Sequence, residues 1–194
     1  MKNIDLLYSS KYFLIIFLFF ISSCSKYSDD VQENLSHLQE NKSCVGCDLT
    51  GVELIGYDLT GADLRRAILT NSNLSRSILT EANLSNAKLQ NANLLGTKLI
   101  NATLVNTNLE NAKLSYSIIK RTQMSNVNLV GAKLNNAKII DSQISISNMT
   151  GANLYAANLS GTKVPEKTIK DAVLCKTIMP FGQQDDSNCA RSIW

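Results

Sequence analysis

A five-residue period constrains this chain more than any other feature. Stepping in fives from Leu49 to Leu159 meets 23 positions, all apolar, of which 18 are Leu and the rest Ile or Met. Two residues before them runs a series of small side chains, including Ala62, Ala67, Ser72, Ala82, Thr97 and Ala102. Two residues after them stands Gly or Asn in 15 of the 23 cases, and eight of the nine glycines share this phase. A period of five is neither 3.6 nor 2. On a helix each step of five would turn the leucine by about 140°, scattering it round every side. On a strand successive leucines would alternate faces. The pattern asks for a chain that turns a corner every five residues. Leu and the small residue point inward, and Gly or Asn takes the positive φ that such corners often need.

Inside the period stands Ala-(Asp/Asn)-Leu, as Ala62-Asp63-Leu64, Ala82-Asn83-Leu84, Ala92-Asn93-Leu94, Ala152-Asn153-Leu154 and Ala157-Asn158-Leu159. This motif resembles the pentapeptide-repeat family, over residues 47–163, about 60% of the chain. The resemblance implies an all-β fold, a right-handed quadrilateral β-helix with four pentapeptides per coil. The 23 repeats then make nearly six coils, and rungs about 4.8 Å apart give a rod roughly 28 Å tall. Like residues stack in columns, for example Leu49, Leu69, Leu89, Leu109, Leu129 and Met149. Such a core has little room for rings, and half of the twelve Phe, Tyr and Trp residues lie in the first 23 positions. The solenoid is expected over residues 44–164. Residues 165–194 are read as a C-terminal cap and tail: Pro165-Glu166-Lys167 starts a short helix whose Ile169, Ala172 and Val173 lie over the last coil.

The N-terminus carries a different signal. Lys2 and Lys11 precede nine unbroken apolar residues, Phe13 to Ile21. A membrane-spanning helix needs about 20, so a basic start with a short apolar run reads as a secretory signal. Ile21-Ser22-Ser23-Cys24 resembles the bacterial lipobox. That resemblance implies a signal peptide of residues 1–23, cleavage before Cys24 and acylation of Cys24. The mature chain would then be anchored by lipid in the cell envelope. Ser25, rather than Asp, fits the periplasmic face of the outer membrane. Residues 24–43 are read as the acylated N-terminus and a polar tether with a helical turn at most. A short helix around Val31–Leu38 is the rival reading, and His37 is taken as a solvated linker residue.

Besides Cys24 there are four cysteines, which allow three pairings. On the rod that the family implies, Cys44 and Cys47 open one end while Cys175 and Cys189 sit at the other. A disulfide needs Cα atoms within about 7 Å. Bridges 44–47 and 175–189 are therefore favoured in an oxidising compartment, and a four-Cys zinc site is not. A redox role for the Cys-x-x-Cys would need a helix after it, where a β-corner follows instead; whether that bridge is closed the sequence leaves open.

No nucleophile–base pair, phosphate loop or carboxylate dyad is apparent, and the single histidine excludes most His-based chemistry. No catalytic residue, metal or cofactor is expected. Asp48, Glu53, Asp58 and Asp63 fall one on each side of the first coil, a solvated polar end. The expected function is a membrane-anchored, non-enzymatic structural or binding module whose partner is an unknown envelope protein or polymer. The alternative, imitation of DNA to inhibit an enzyme such as gyrase, meets a charge of the wrong sign. Residues 47–164 hold eleven Lys and Arg against seven Asp and Glu, where a mimic of duplex DNA should be negative. The export signal also separates the chain from nucleic acid. The candidate binding face is centred on Leu99, Ile119 and Ile139. Its flanking pairs are Lys98 with Ile100, Ile118 with Lys120, and Lys138 with Ile140, and Arg121 stands at the adjoining corner. It joins cations to aliphatic groups, as contact with an anionic polymer, a lipid headgroup or a protein would require; solvated lysines among strand-forming isoleucines are the plainer reading.

Overall fold

The computed structural model describes residues 26–187 and Cys189; Cys24 and the signal segment lie outside the described residues. Parallel bridges link residues 20 apart, from Ser43 with Asp63 to Asn158 with Ile178, so each coil takes four pentapeptides. Two sets of hydrogen bonds hold every rung. The core residue donates its N–H to the carbonyl 19 residues on (Leu49 to Ile68, 2.8 Å). The residue before the next core position donates 21 residues back (Ile68 to Cys47, 2.8 Å). Five three-residue strands lie where three consecutive residues pair with the next rung. They are β1 (Lys98–Ile100), β2 (Ile118–Lys120), β3 (Gln123–Ser125), β4 (Lys138–Ile140) and β5 (Gln143–Ser145).

Each element of the motif has a physical task. Every fifth residue from Gly46 to Gly161 has positive φ, even where Arg66, Glu81, Tyr116 or Ile146 occupies the corner. The Asp or Asn before Leu ties the turn: its side-chain oxygen accepts the N–H two residues on, as in Asp48 to Thr50 (2.9 Å) and Asn83 to Ser85 (3.0 Å). No leucine of the series exceeds 2% exposure. Some hydroxyls in the small-residue columns reach a carbonyl 23 residues back, as Thr107 to Leu84 (2.8 Å) and Thr162 to Ile139 (2.6 Å), while those of Ser72 and Thr97 bond the carbonyl three residues back. Ser77 and Ser117 are buried with no partner for Oγ.

Both ends differ from the sequence reading. In place of a tether, α1 (Asp29–Asn41) closes the N-terminal coil. Leu38 is fully buried, and Tyr27, Val31 and Leu35 pack beside it against the core. A helix of this length is marginal alone; it forms here because the open first coil offers its apolar stripe a surface. Asn34 Nδ2 donates to the Asp48 carbonyl (3.1 Å), and Gln39 Nε2 donates to Tyr57 Oη (2.8 Å). His37 is solvated as expected but stands on α1 rather than in a linker, its Nδ1 bonded to the Ser43 carbonyl (2.7 Å).

At the other end the period outlasts Leu159. Val164, Ile169, Leu174 and Met179 keep the phase, and Val173 and Ile178 bridge to Asn153 and Asn158. Residues 165–180 are therefore a further, three-sided coil rather than a lid. The helical turn α2 (Glu166–Ile169) replaces one corner. Ile169 and Ala172 point inward as expected, but Val173 lies in the outward row opposite Asn153, not in the buried stripe. The chain then folds back, β6 (Thr177–Ile178) pairing antiparallel with β7 (Gln184–Asp185). Disulfides join Cys44 to Cys47 and Cys175 to Cys189, with Cα separations of 5.3 and 4.6 Å. Among the described residues no helix is long and apolar enough to cross a membrane.

Candidate binding face

The four sides of the rod are named by their first core leucines, Leu49, Leu54, Leu59 and Leu64. On the Leu59 side β1, β2 and β4 form one parallel sheet. Lys98, Ile118 and Lys138 stack in one row and Ile100, Lys120 and Ile140 in the next, a chequerboard of cation and aliphatic. Lys98, Arg121 and Lys138 are exposed; Lys120 and the three isoleucines are half-buried between their neighbours. The aliphatic groups thus present edges rather than a free strip. Arg121 Nε donates to Asn101 Oδ1 (2.8 Å), which lays the guanidinium along the corner.

Two cations escaped the sequence reading. Lys113 and Lys133 are bridged partners on the adjoining Leu54 side, both exposed and one rung apart. Like charges directly opposed in a sheet are destabilising. Their 20-residue spacing was the available signal, and it points to this pair once the coil length is known. Among the described residues the ion pairs lie at the rod ends: Lys26–Glu53 (3.3 Å), Lys42–Asp58 (3.9 Å), Arg65–Asp63 (2.6 Å) and Lys170–Asp171 (3.9 Å). The mid-rod cations are in none of them. Charge is correspondingly segregated. Residues 26–63 hold eight acidic and two basic side chains, whereas residues 64–187 hold seven acidic and fourteen basic.

The acidic end is not a dyad. Asp48, Glu53, Asp58 and Asp63 bridge to Ile68, Asn73, Ile78 and Asn83, one per side. Hydrogen bonds from Thr50 and Thr60, hydroxyl first and amide second, hold the Asp48 and Asp58 carboxyls below their ordinary range. Asp63 is held down chiefly by the Arg65 side chain, which grips both its oxygens (2.8 and 2.6 Å).

At the C-terminal end the missing fourth side of the last coil leaves a groove of about 610 Å³, lined by Ile144, Val164, Pro165, Pro180 and an exposed Phe181. The Thr162 hydroxyl in it is committed to Ile139. The atoms of Cys175, Asp186 and Cys189 that would bind a metal converge within 4.8 Å. The two sulfurs are bonded to each other, however, and the Asp186 carboxylate accepts the Lys176 N–H (2.8 Å) and the Gln184 amide (3.0 Å).

The family model for pentapeptide repeats matches residues 43–80, 77–115 and 108–145 in eight copies, more than half of the 194 residues. The chain belongs to the pentapeptide-repeat family. That family's fold is the right-handed quadrilateral β-helix, and the 20-residue coil agrees with it. Among solved structures, the pentapeptide-repeat protein Rfr23 of the cyanobacterium Cyanothece 51142 is 32% identical. It covers 73% of this chain and 97% of its own, with a TM-score of 0.43. HetL of Nostoc sp. strain PCC 7120, involved in heterocyst differentiation regulation, is 25% identical over 81% of this chain and all of its own, with a TM-score of 0.30. QnrB1, a plasmid-mediated fluoroquinolone resistance protein, is 16% identical over 78% and 85%, with a TM-score of 0.41. No curated protein sequence matches this pentapeptide-repeat protein.

Proposed function

We propose that this pentapeptide-repeat protein is a non-enzymatic binding module of a bacterial cell envelope. In this reading it is held by lipid on Cys24 at the periplasmic face of the outer membrane and binds through its Lys–Ile sheet. The observation that carries the reading is the set of mid-rod cations fixed on a hydrogen-bonded sheet without carboxylate partners. Cations held in fixed rows without carboxylate partners are what an anionic partner would meet. Imitation of DNA does not fit, because the rod's excess charge is positive. Two tests address the two halves. Wild-type chain should incorporate labelled palmitate and fractionate with membranes, whereas Cys24→Ala should do neither; a variant that stays in the outer membrane would remove the lipid from the reading. Replacing Lys98, Lys120, Arg121 and Lys138 together by Ser should preserve the thermal midpoint and abolish salt-sensitive retention on an anionic matrix. Unchanged retention would return these cations to a solvated surface.

A further inference from the structure

The mid-rod cations lie on the side of the rod where the described chain begins. Lys26 Nζ pairs with Glu53 (3.3 Å), and Tyr27 Oη accepts the Glu53 N–H (2.9 Å). Glu53 is the residue before Leu54, so the chain enters the fold along the Leu54 side. Cys24 is two residues from Lys26, and two residues span at most about 7 Å. A lipid on Cys24 would therefore be tied within about 7 Å of the point where the described chain begins, at Lys26.

The same side carries the charge. Lys113 and Lys133 lie on the Leu54 face, Lys98, Lys120 and Lys138 on the Leu59 face, and Arg121 on its far corner. Between residues 98 and 140 the two remaining faces contribute one charged side chain, Glu110. Exposed large apolar groups gather here too. Ile55 and Leu95 (51% and 39% exposed) lie on the Leu54 face, and Tyr116 (63%) stands on the ridge between the two basic faces. Lysine around a tyrosine and aliphatic ridge suits the boundary between headgroups and acyl chains.

We propose that the rod lies on its side, with its Leu54 and Leu59 faces against the anionic phospholipid headgroups of the leaflet that holds its lipid. This rests on the lipid-anchor reading above. The acidic N-terminal coil and α1 would meet repulsion if the rod stood on that end, and lying down exchanges this for contact with six cations. The surface then acts as a coat fixed parallel to the leaflet, leaving the Leu49 and Leu64 faces, rich in Asn and Gln, open to the aqueous side.

The test uses the acylated full chain with a membrane-impermeant amine-acetylating reagent, read residue by residue by mass spectrometry. On vesicles of phosphatidylcholine with about a quarter phosphatidylglycerol, Lys113 and Lys133 should react about fivefold more slowly than in detergent. Lys88 and Lys163, on the other two faces, should keep their rates. Added salt should weaken the protection. Equal rates for all four lysines on these vesicles would overturn the proposal. Flotation with pure phosphatidylcholine vesicles reports the lipid independently: a chain that floats but shows equal rates loses the orientation alone, and one that does not float loses anchor and orientation together. Protection of Lys113 and Lys133 by soluble polyphosphate in detergent, but not by the anionic vesicles, would also overturn it, in favour of a polymer ligand.

Discussion

Ile146→Asn should stabilise the rod. Ile146 occupies a corner with φ 56°, where a β-branched side chain is crowded against its own backbone, and the side chain is 80% exposed. Replacing it forfeits almost no packing. Relief of left-handed strain is worth about 1 kcal/mol, since Asn tolerates this region better than Ile. A second gain comes from the stack beneath it. Asn126 Nδ2 donates to Asn106 (2.9 Å), and Asn106 donates to Asn86 (3.2 Å). Position 146 is the next rung, and an amide there extends the ladder by one hydrogen bond, worth about 0.5 kcal/mol at an exposed site. The sum is about 1–2 kcal/mol, which for a domain of this size raises the thermal midpoint by about 2–8 °C. Thermal unfolding followed by circular dichroism measures it, with Ile146→Val as the control that keeps the branched carbon. A midpoint unchanged in Asn, or raised equally in Val, would refute both the strain and the ladder.

Ser117→Ala should raise stability by about 1 kcal/mol in urea unfolding, because its buried Oγ has no partner and Ala137 already fills the same column one rung on. A loss of stability would reveal a hidden bond to that hydroxyl. Leu104→Lys places an unpaired charge at a site 1% exposed, at a cost of several kcal/mol, and should abolish cooperative unfolding; a wild-type melt would mean the register is wrong. Asp48, Asp58 and Asp63 have carboxyls held below their ordinary range, so their contribution is complete above about pH 4 and is lost as pH falls through the lowered folded values. The thermal midpoint should therefore drop below about pH 4, and Asp63→Asn should shrink the drop; an identical acid profile in that variant would remove Asp63 from the account.

The solenoid was legible because its period is written in every rung. Leu, small residue and corner residue recur in fixed phase, and the structure puts them in the core, beside it and at positive φ. The ends were less legible for definite reasons. Val31, Leu35 and Leu38 have helical spacing, but within a polar stretch they become a buried stripe only when the first coil is there to receive them. Past Leu159 the phase persists in Val164, Ile169, Leu174 and Met179. The small residues and asparagines that made the motif visible are largely gone, and Pro165 reads as a stop. The basic sheet was recognisable from alternating Lys and Ile, whereas Lys113 and Lys133 stand alone in their pentapeptides and meet only through the 20-residue coil.

That coil length has an angular consequence. Inserting 20 residues between Glu53 and Lys113 would move the basic sheet one rung farther from α1, by about 4.8 Å, and keep it on the same side. Inserting five would swing everything beyond the insertion by a quarter turn, carrying Lys113 and Lys133 away from the side where Lys26 and Tyr27 dock. The rod is thus a protractor as well as a ruler. Its length can change freely in whole coils, while the bearing of one end relative to the other is kept only when the count of pentapeptides between them changes by four.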